Sequence, residues 1–445
     1  MRNFNLKRFL IDNIVTIIFL TLTIAGILIA KQPIHILVND IVSRFARNAF
    51  LVLSLIIPVL AGMGLNFGIV IGAMAAQAAV IFVTDMGING IGGLILAMVL
   101  SIPLSIILGW MIGKLLNKTR GLEMITSLML SLFAQGVWLL IYLAMMGRFI
   151  PVRTQELLIP GGIGIRNTVN LGDGQGMGIK YALDNLSSLP FFLAMTIFLG
   201  ILSVYYLVKY LRSNRRLPQR DRFLLFPLAF SLVAMVVMFL GHATMIYPAS
   251  VLRLNEVTVP MVTVGIIILM GLFINWLINT KLGQDFRSVG QSQAIAGVSG
   301  INVDKTRIIA MITSTIMAAL GHIVLLENLG VLNTYGSHVS IGLYSVAALL
   351  VGGATVNRAT VGQAFLGVIM FHTLFYIAPF AGKVLLSDAQ YGEYFRNIIA
   401  YGAIGLSLVL YAWKQANSQG AAQAIPVPPP PTSGVSTTTD STTSS

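Results

Sequence analysis

Apolar runs long enough to cross a bilayer recur from one end of this chain to the other, and no other feature limits its possible folds so strongly. A helix needs about 20 apolar residues to span a bilayer core. Spans are predicted near 13–31, 66–84, 92–116, 126–147, 190–211, 224–242, 259–279, 307–326, 361–380 and 395–413. Two shorter stretches, 49–62 and 341–352, run into the glycine-rich breaks AGMGLNFG and VGGATVNRATVG. Charged residues make up only 10% of the chain, against about 25% in soluble domains. Backbone in lipid must satisfy its own hydrogen bonds, so spans are helices. The expected fold class is therefore all-α, a polytopic membrane helical bundle of ten spans plus two half-length broken helices. It would occupy 1–417 as one transmembrane domain, with 418–445 a Pro/Ser/Thr-rich tail expected to be disordered. The opening segment resembles a signal peptide in outline, but the many later spans favour a retained first span.

The net charge is +13. Lys and Arg collect on the cytoplasmic side of membrane spans, which accounts for the charge without any nucleic-acid partner. With the N-terminus inside and twelve segments crossing, 18 of the 28 basic residues and 6 of the 15 acidic ones fall inside. Both termini are thereby expected in the cytoplasm of a multi-pass cell-membrane protein. The loop 280–307 falls on the same side, and the longest outer loop is 148–189. The chain has no cysteine, so disulfides and thiolate metal sites are absent.

Catalytic patterns are missing. The string nearest to a phosphate-binding loop, GWMIGK at 109–114, has the wrong spacing and lies in a span. The five histidines, His35, His242, His322, His338 and His372, make no ligand pair at helical spacing. No catalytic residue, metal site or cofactor is expected. Ionisable groups in or beside spans, which are functional candidates by default, reduce to Glu327, His322, Arg358 and His372. Every acidic residue other than Glu327 is read as lying in a loop or at a span edge. A carrier coupled to protons or sodium would need buried carboxylates, so the energy is expected from a partner. A stand-alone secondary transporter remains the alternative; a membrane-embedded enzyme would need a cluster of Asp, His or Ser, and a scaffold would leave the glycine breaks without purpose.

The loop TKLGQDFRSVGQSQAIAGVSGINVDKTR, 280–307, is far longer than a connector requires. Gln291 to Ser299 is predicted to form a short helix with Gly290 and Gly300 as start and stop. Ala294 and Ile295 then share an apolar face with Val298. Such a face suits docking into a groove on another protein; a helix lying on lipid or a plain linker would use it equally.

That loop resembles the cytoplasmic coupling loop of bacterial ABC importer permeases in the branch serving branched-chain amino acids, simple sugars and nucleosides. Thr280, Leu282, Gly283, Val289, Gly290, Ala296, Ser299, Gly300, Ile301, Val303 and Lys305 stand at matching spacings. Ser292, Ile295 and Gly297 replace that family's Asn, Ala and basic residue. Residues 62–77 and 344–367 resemble its two glycine-broken segments, with Ser345 and Val351 as departures. The resemblance implies a permease subunit paired with a second permease, a cytoplasmic ABC ATPase dimer and an extracytoplasmic substrate-binding protein. Gly283, Arg287, Gly290, Ala294, Ile295, Val298, Gly300, Ile301 and Lys305 would form the ATPase-coupling surface. The broken segments would line the path of a small-molecule substrate, a simple sugar or nucleoside, so Asn66, Gln77, Glu327 and Asn333 are candidates for polar contact. Each would equally serve to satisfy a broken helix. Ala73 to Ala76 before Gln77, and Asn66 in place of an Asp, select neither the nucleoside nor the sugar branch.

Overall fold

Lipid-facing backbone leaves helix as the economical solution, and the chain adopts it almost throughout. The computed structural model describes residues 13–172, 178–214, 222–244 and 247–423. Arg2, Lys7, Arg8, Arg215, Arg216 and Arg220, which entered the charge count, lie outside the described residues, as do residues 424–445 of the tail.

The α-helices of five or more residues in order are α1 (Ile14–Ala30), α2 (Ile34–Ser54), α3 (Ile56–Leu60), α4 (Ile69–Asp85), α5 (Gly90–Lys118) and α6 (Glu123–Leu139), which continues as a wider turn to Met145. Then follow α7 (Phe191–Asn214), α8 (Arg222–Ala243), α9 (Met261–Asn279), α10 (Lys281–Gln291) and α11 (Gln293–Val298). The series closes with α12 (Val303–Leu329), α13 (Ser337–Val351), α14 (Val361–Leu386) and α15 (Ala389–Gln423), so helical structure continues past residue 418. Among the described residues, eight helices are long and apolar enough to cross a membrane, and three shorter apolar ones accompany them. The protein is a polytopic all-α membrane bundle.

Two two-stranded antiparallel ribbons join distant loops: β1 (Thr168–Asn170) with β4 (Val331–Asn333), and β2 (Ser188–Pro190) with β3 (Thr258–Pro260). Both lie at the end of the bundle opposite α10 and α11, here called the far face; the end carrying α10 and α11 is the loop face.

Several spans differ from the sequence expectation. The stretches read as full spans near 13–31 and 66–84 are the shorter apolar helices Ile14–Ala30 and Ile69–Asp85, and 395–413 is not among the eight spanning helices of the described residues. The stretch 49–62 is not half-length: α2 and α3 run almost continuously from Ile34 to Leu60, 27 residues. Asp40, Arg44 and Arg47 conceal this span from a hydropathy reading. Arg44 Nε donates to Asp40 Oδ2 at 2.5 Å one turn away, and its guanidinium sits 5.8 Å and 5.7 Å from the rings of Phe375 and Tyr376. Pairing and ring contact lower the cost of holding these charges at membrane depth. Asp40 also corrects the expectation that only Glu327 among the acids lies inside a span. The second short segment does end early, since α13 has 15 residues before its glycine break.

At the centre stands α12, which packs against α2, α3, α4 and α5. Its contact with α5 is made by small residues at four-residue intervals: Ala97, Ser101, Ser105, Gly109 and Gly113 are all buried. A Cβ added at Gly109 or Gly113 would lie 2.8 Å from Ile312 Cα or 2.9 Å from Ile308 Cα. The GWMIG string, useless for phosphate, is thus a seam where two backbones touch. By contrast α7 and α8 pack chiefly on each other, joined by a hydroxyl bridge between Ser203 and Ser231 at 2.9 Å.

Candidate coupling loop and polar path

Residues 280–302 fold as two helices, where the sequence predicted one. Leu282, Phe286 and Val289 recur at i, i+4 and i+7, and this apolar stripe seats α10 on the bundle, with Phe286 and Val289 buried. Thr280 caps α10, its hydroxyl accepting from Gly283 N–H at 3.4 Å. Gly283 lies so close to the end of α9 that a Cβ there would be 2.2 Å from Leu277 O.

Gly290 does not open the second helix. It lies in the last turn of α10, and a Cβ on it would stand 2.1 Å from Leu60 O. Its partner there is Gly62, at φ +72, so the loop presses directly on the first glycine break. The start signal for α11 is Ser292, whose hydroxyl accepts from Ile295 N–H at 3.3 Å. Serine in place of the family's Asn therefore keeps the cap chemistry. Gly300, at φ +83, ends α11 as expected. The N–H of Gly300 donates to Gly297 O and that of Ile301 to Ala296 O, both at 3.0 Å, a closing pair that satisfies the final carbonyls.

Between these caps α11 presents bare apolar side chains. Ala294 is exposed, Ile295 is 70% exposed and Val298 is 93% exposed, while Ala296 on the opposite face is buried. Arg287 is exposed beside this surface, and Lys305 is exposed in the first turn of α12. Asn302 caps that turn, accepting from Lys305 N–H at 3.0 Å.

The far end of the loop is anchored more firmly than its sequence suggests. Arg307 is fully buried and donates to Glu123 Oε1 at 2.6 Å and to Leu116 O at 3.3 Å. Arg120 pairs with Asp304, and Asn117 Nδ2 donates to Asp304 O at 3.0 Å. The start of α12 and the turn between α5 and α6 therefore form one clamp.

The four candidate path residues fall at different levels. Asn66 is buried in the first break, where its Oδ1 accepts from Gly68 N–H at 2.9 Å. Glu327 is buried near the far face, its Oε1 accepting from Leu183 and Asp184 N–H at 2.9 Å and 3.2 Å. Only Gln77 and Asn333 come together: Gln77 Nε2 faces Asn333 O at 3.4 Å and donates to Ser337 Oγ. The Asn333 side chain accepts from Gly336 N–H at 2.8 Å, which shapes the turn above it.

Around Gln77 the structure assembles groups that no sequence spacing announces. His338 Nδ1 meets Gln77 Oε1 at 2.8 Å, and its Nε2 meets Gln135 Oε1. Gln135 Nε2 donates to Tyr335 O at 3.0 Å, and Trp138 Nε1 donates to Thr334 O at 2.8 Å. The participants come from α4, α6 and α13 and share no linear pattern. The cluster is built of amides, an imidazole and hydroxyls, with no carboxylate, lysine or arginine among its hydrogen-bonding members. Beside it lies an apolar groove of about 560 Å3 between α5 and α6, floored by Met74, Ala75 and Ala78 of α4.

A family model described as branched-chain amino acid transport system, permease component, matches residues 179–408. That match contains the loop 280–307 and the second glycine break; the first break lies before it. No curated protein matches, and no solved structure matches.

Proposed function

This chain belongs to the family of branched-chain amino acid transport system permease components, and from that premise we propose that it is the membrane-spanning subunit of an ATP-driven importer whose loop 280–307 docks a separate ABC ATPase. It is a transport permease, and the energy of transport would come from ATP hydrolysis on partner chains. A second permease subunit and an extracytoplasmic substrate-binding protein complete the expected assembly, which is placed in the cell membrane with both termini cytoplasmic.

The observation that carries the docking reading is α11 itself. Six residues capped at both ends hold Ile295 and Val298 out from the body at 70% and 93% exposure. An isolated helix of this length would not persist in water; caps and the neighbouring α10 hold it ready for a groove. ATPase closure would push α11, α10 would lean on Leu60 and Gly62, and the clamp at Arg307 would pass the load into α12. The spans around the two glycine breaks would then tilt and alternate the path between its two openings.

The solute is read as small and polar, a simple sugar or nucleoside. The uncharged character of the Gln77, Gln135 and His338 cluster supports this, because a zwitterion held there would lack charged partners. Uptake of ribose, uridine and leucine by the reconstituted transporter decides among the classes; leucine alone being carried would overturn the solute reading.

Docking is tested by co-purification of the full chain in detergent. A P-loop ATPase should accompany it, and Ala294→Glu with Val298→Glu should release that ATPase without loss of folded chain. A chain that purifies alone, whatever residue stands at 294 or 298, would return the reading to a stand-alone secondary transporter.

A further inference from the structure

On the loop face a cleft of about 740 Å3 opens between the end of α9, α10 and the second glycine break. Its polar lining includes Asn275, Asn279, Arg287, Gln291, Arg358 and Thr360. No acidic residue lines it. Arg287 and Arg358 are exposed, and neither enters an ion pair among the described residues. Two uncompensated guanidinium groups facing one cavity repel each other and attract an anion; their forked donors suit phosphate oxygens in particular.

The position of the cleft narrows the source of that phosphate. It lies where α9 ends and α14 begins, at the level where two spans leave the hydrocarbon. Trp276, next to Asn275 in the chain, is 63% exposed, its ring tilted against that of Phe273 with centroids 5.8 Å apart. Exposed tryptophan at a span end marks the headgroup layer. Leu269 and Leu272, on the preceding turns of α9, are 65% and 58% exposed, offering an apolar wall for acyl chains below the cleft.

We propose that the Arg287–Arg358 cleft binds a phosphate group, supplied by the headgroup of an anionic glycerophospholipid. The bound phosphate would bridge α10 to the second glycine break, two segments that line the same cleft. An anionic lipid would thus act as a removable brace on the part of the molecule that receives the load of the ATPase. This meaning rests on the permease reading; the binding itself does not.

The test uses the full chain, purified in detergent and stripped of lipid, with occupancy read by native mass spectrometry. The probes are dioleoylphosphatidylglycerol, dioleoylphosphatidylcholine and inorganic phosphate. Each arginine near an anionic headgroup contributes about fivefold to attraction. The double variant Arg287→Gln, Arg358→Gln should therefore bind phosphatidylglycerol about twenty-five-fold more weakly. The Arg287→Lys, Arg358→Lys chain, which keeps the charge and loses the forked donors, should bind less tightly than the parent and more tightly than the double glutamine variant, and Arg148→Gln on the far face should change nothing. Phosphatidylcholine should bind weakly to every variant. Inorganic phosphate that occupies the site alone and displaces the lipid would support the phosphate chemistry and make the free anion its source. Equal binding of both lipids, or phosphatidylglycerol binding unchanged in the double glutamine variant, overturns the proposal. Loss of the co-purifying ATPase in that variant with lipid occupancy unchanged assigns the cleft to the protein partner and also overturns it. Should the double variant be poorly folded, Arg358→Gln alone should still show about a fivefold loss, and no loss there is equally decisive. The two readings fail separately, since Val298→Glu removes the ATPase contact and leaves lipid occupancy as it was.

Discussion

Replacing Gly290 with alanine changes one hydrogen into a methyl, yet the structure assigns that methyl no space. Its carbon would lie 2.1 Å from Leu60 O and 3.0 Å from Gly62 N. Carbon does not approach a carbonyl oxygen closer than about 3 Å, so α10 and the first glycine break would have to separate by about 1 Å. Leu60 and Gly62 are backbone, with no flexible side chain to swing aside. Overpacking of this kind costs about 1–3 kcal/mol. Gly297→Ala is the matched control: nothing lies within 4 Å of the added carbon, and alanine in place of a helical glycine gains about 0.5–1 kcal/mol. Both variants leave the Ile295 and Val298 face untouched, so both should keep the ATPase in detergent pull-downs. They should diverge in proteoliposomes. Gly290→Ala should hydrolyse ATP with uptake reduced several-fold, because the push on α11 no longer reaches the break, while Gly297→Ala should transport at least as well as the parent. Thermal unfolding in detergent should order them as Gly297→Ala, parent, Gly290→Ala. A Gly290→Ala chain with parental stability and parental uptake per ATP would refute the contact between α10 and Leu60 as the route of transmission.

Other substitutions probe separate joints. Glu123→Gln leaves Arg307 buried without its counter-charge and should cost about 3–5 kcal/mol in unfolding by denaturing detergent. The double change Glu123→Leu, Arg307→Met should recover most of that, and failure to recover would show that the clamp is not an isolated pair. Asp40→Ala removes the hydrogen-bonded partner of Arg44 and should destabilise by about 1.5–3 kcal/mol in the same assay; an effect below about 0.5 kcal/mol would mean that the aromatic rings alone suffice. His338→Ala should abolish uptake while ATPase co-purification persists, and unchanged uptake would remove the Gln77 cluster from the path.

The loop 280–307 was the most legible part of the sequence because its signals are local. Gly300, the apolar pair Ile295 and Val298, and the matched spacings all lie within one short segment. Even there α10 was missed, since Leu282, Phe286 and Val289 are diluted by eight polar or glycine neighbours and its register is set by backbone outside it, at Leu277 and Leu60. The span Ile34–Leu60 was misread for the opposite reason. Its charges depress hydropathy, and only the pairing of Asp40 with Arg44 and the rings of α14 reveal that they are tolerated inside. The Gln77, Gln135 and His338 cluster could not be read at all, because tertiary packing alone brings α4, α6 and α13 together. Glu327 was singled out correctly as a buried acid, but its acceptance of two N–H groups from the loop 148–189 depends on residues about 140 positions away.

The glycine seam between α5 and α12 has a mechanical consequence. Where side chains separate two helices, they can slide past one another by rotamer changes. Where Gly109 and Gly113 bring the backbones into contact at Ile312 and Ile308, a slip of one residue, about 1.5 Å, would carry the Ile308 and Ile312 backbone off the glycines and against bulkier neighbours. The two helices are therefore geared, with teeth too shallow to flex and too closely meshed to skip. Any rocking of this protein must carry α5 and α12 as a single lever, and the bending must be taken up at the glycine breaks on either side of it.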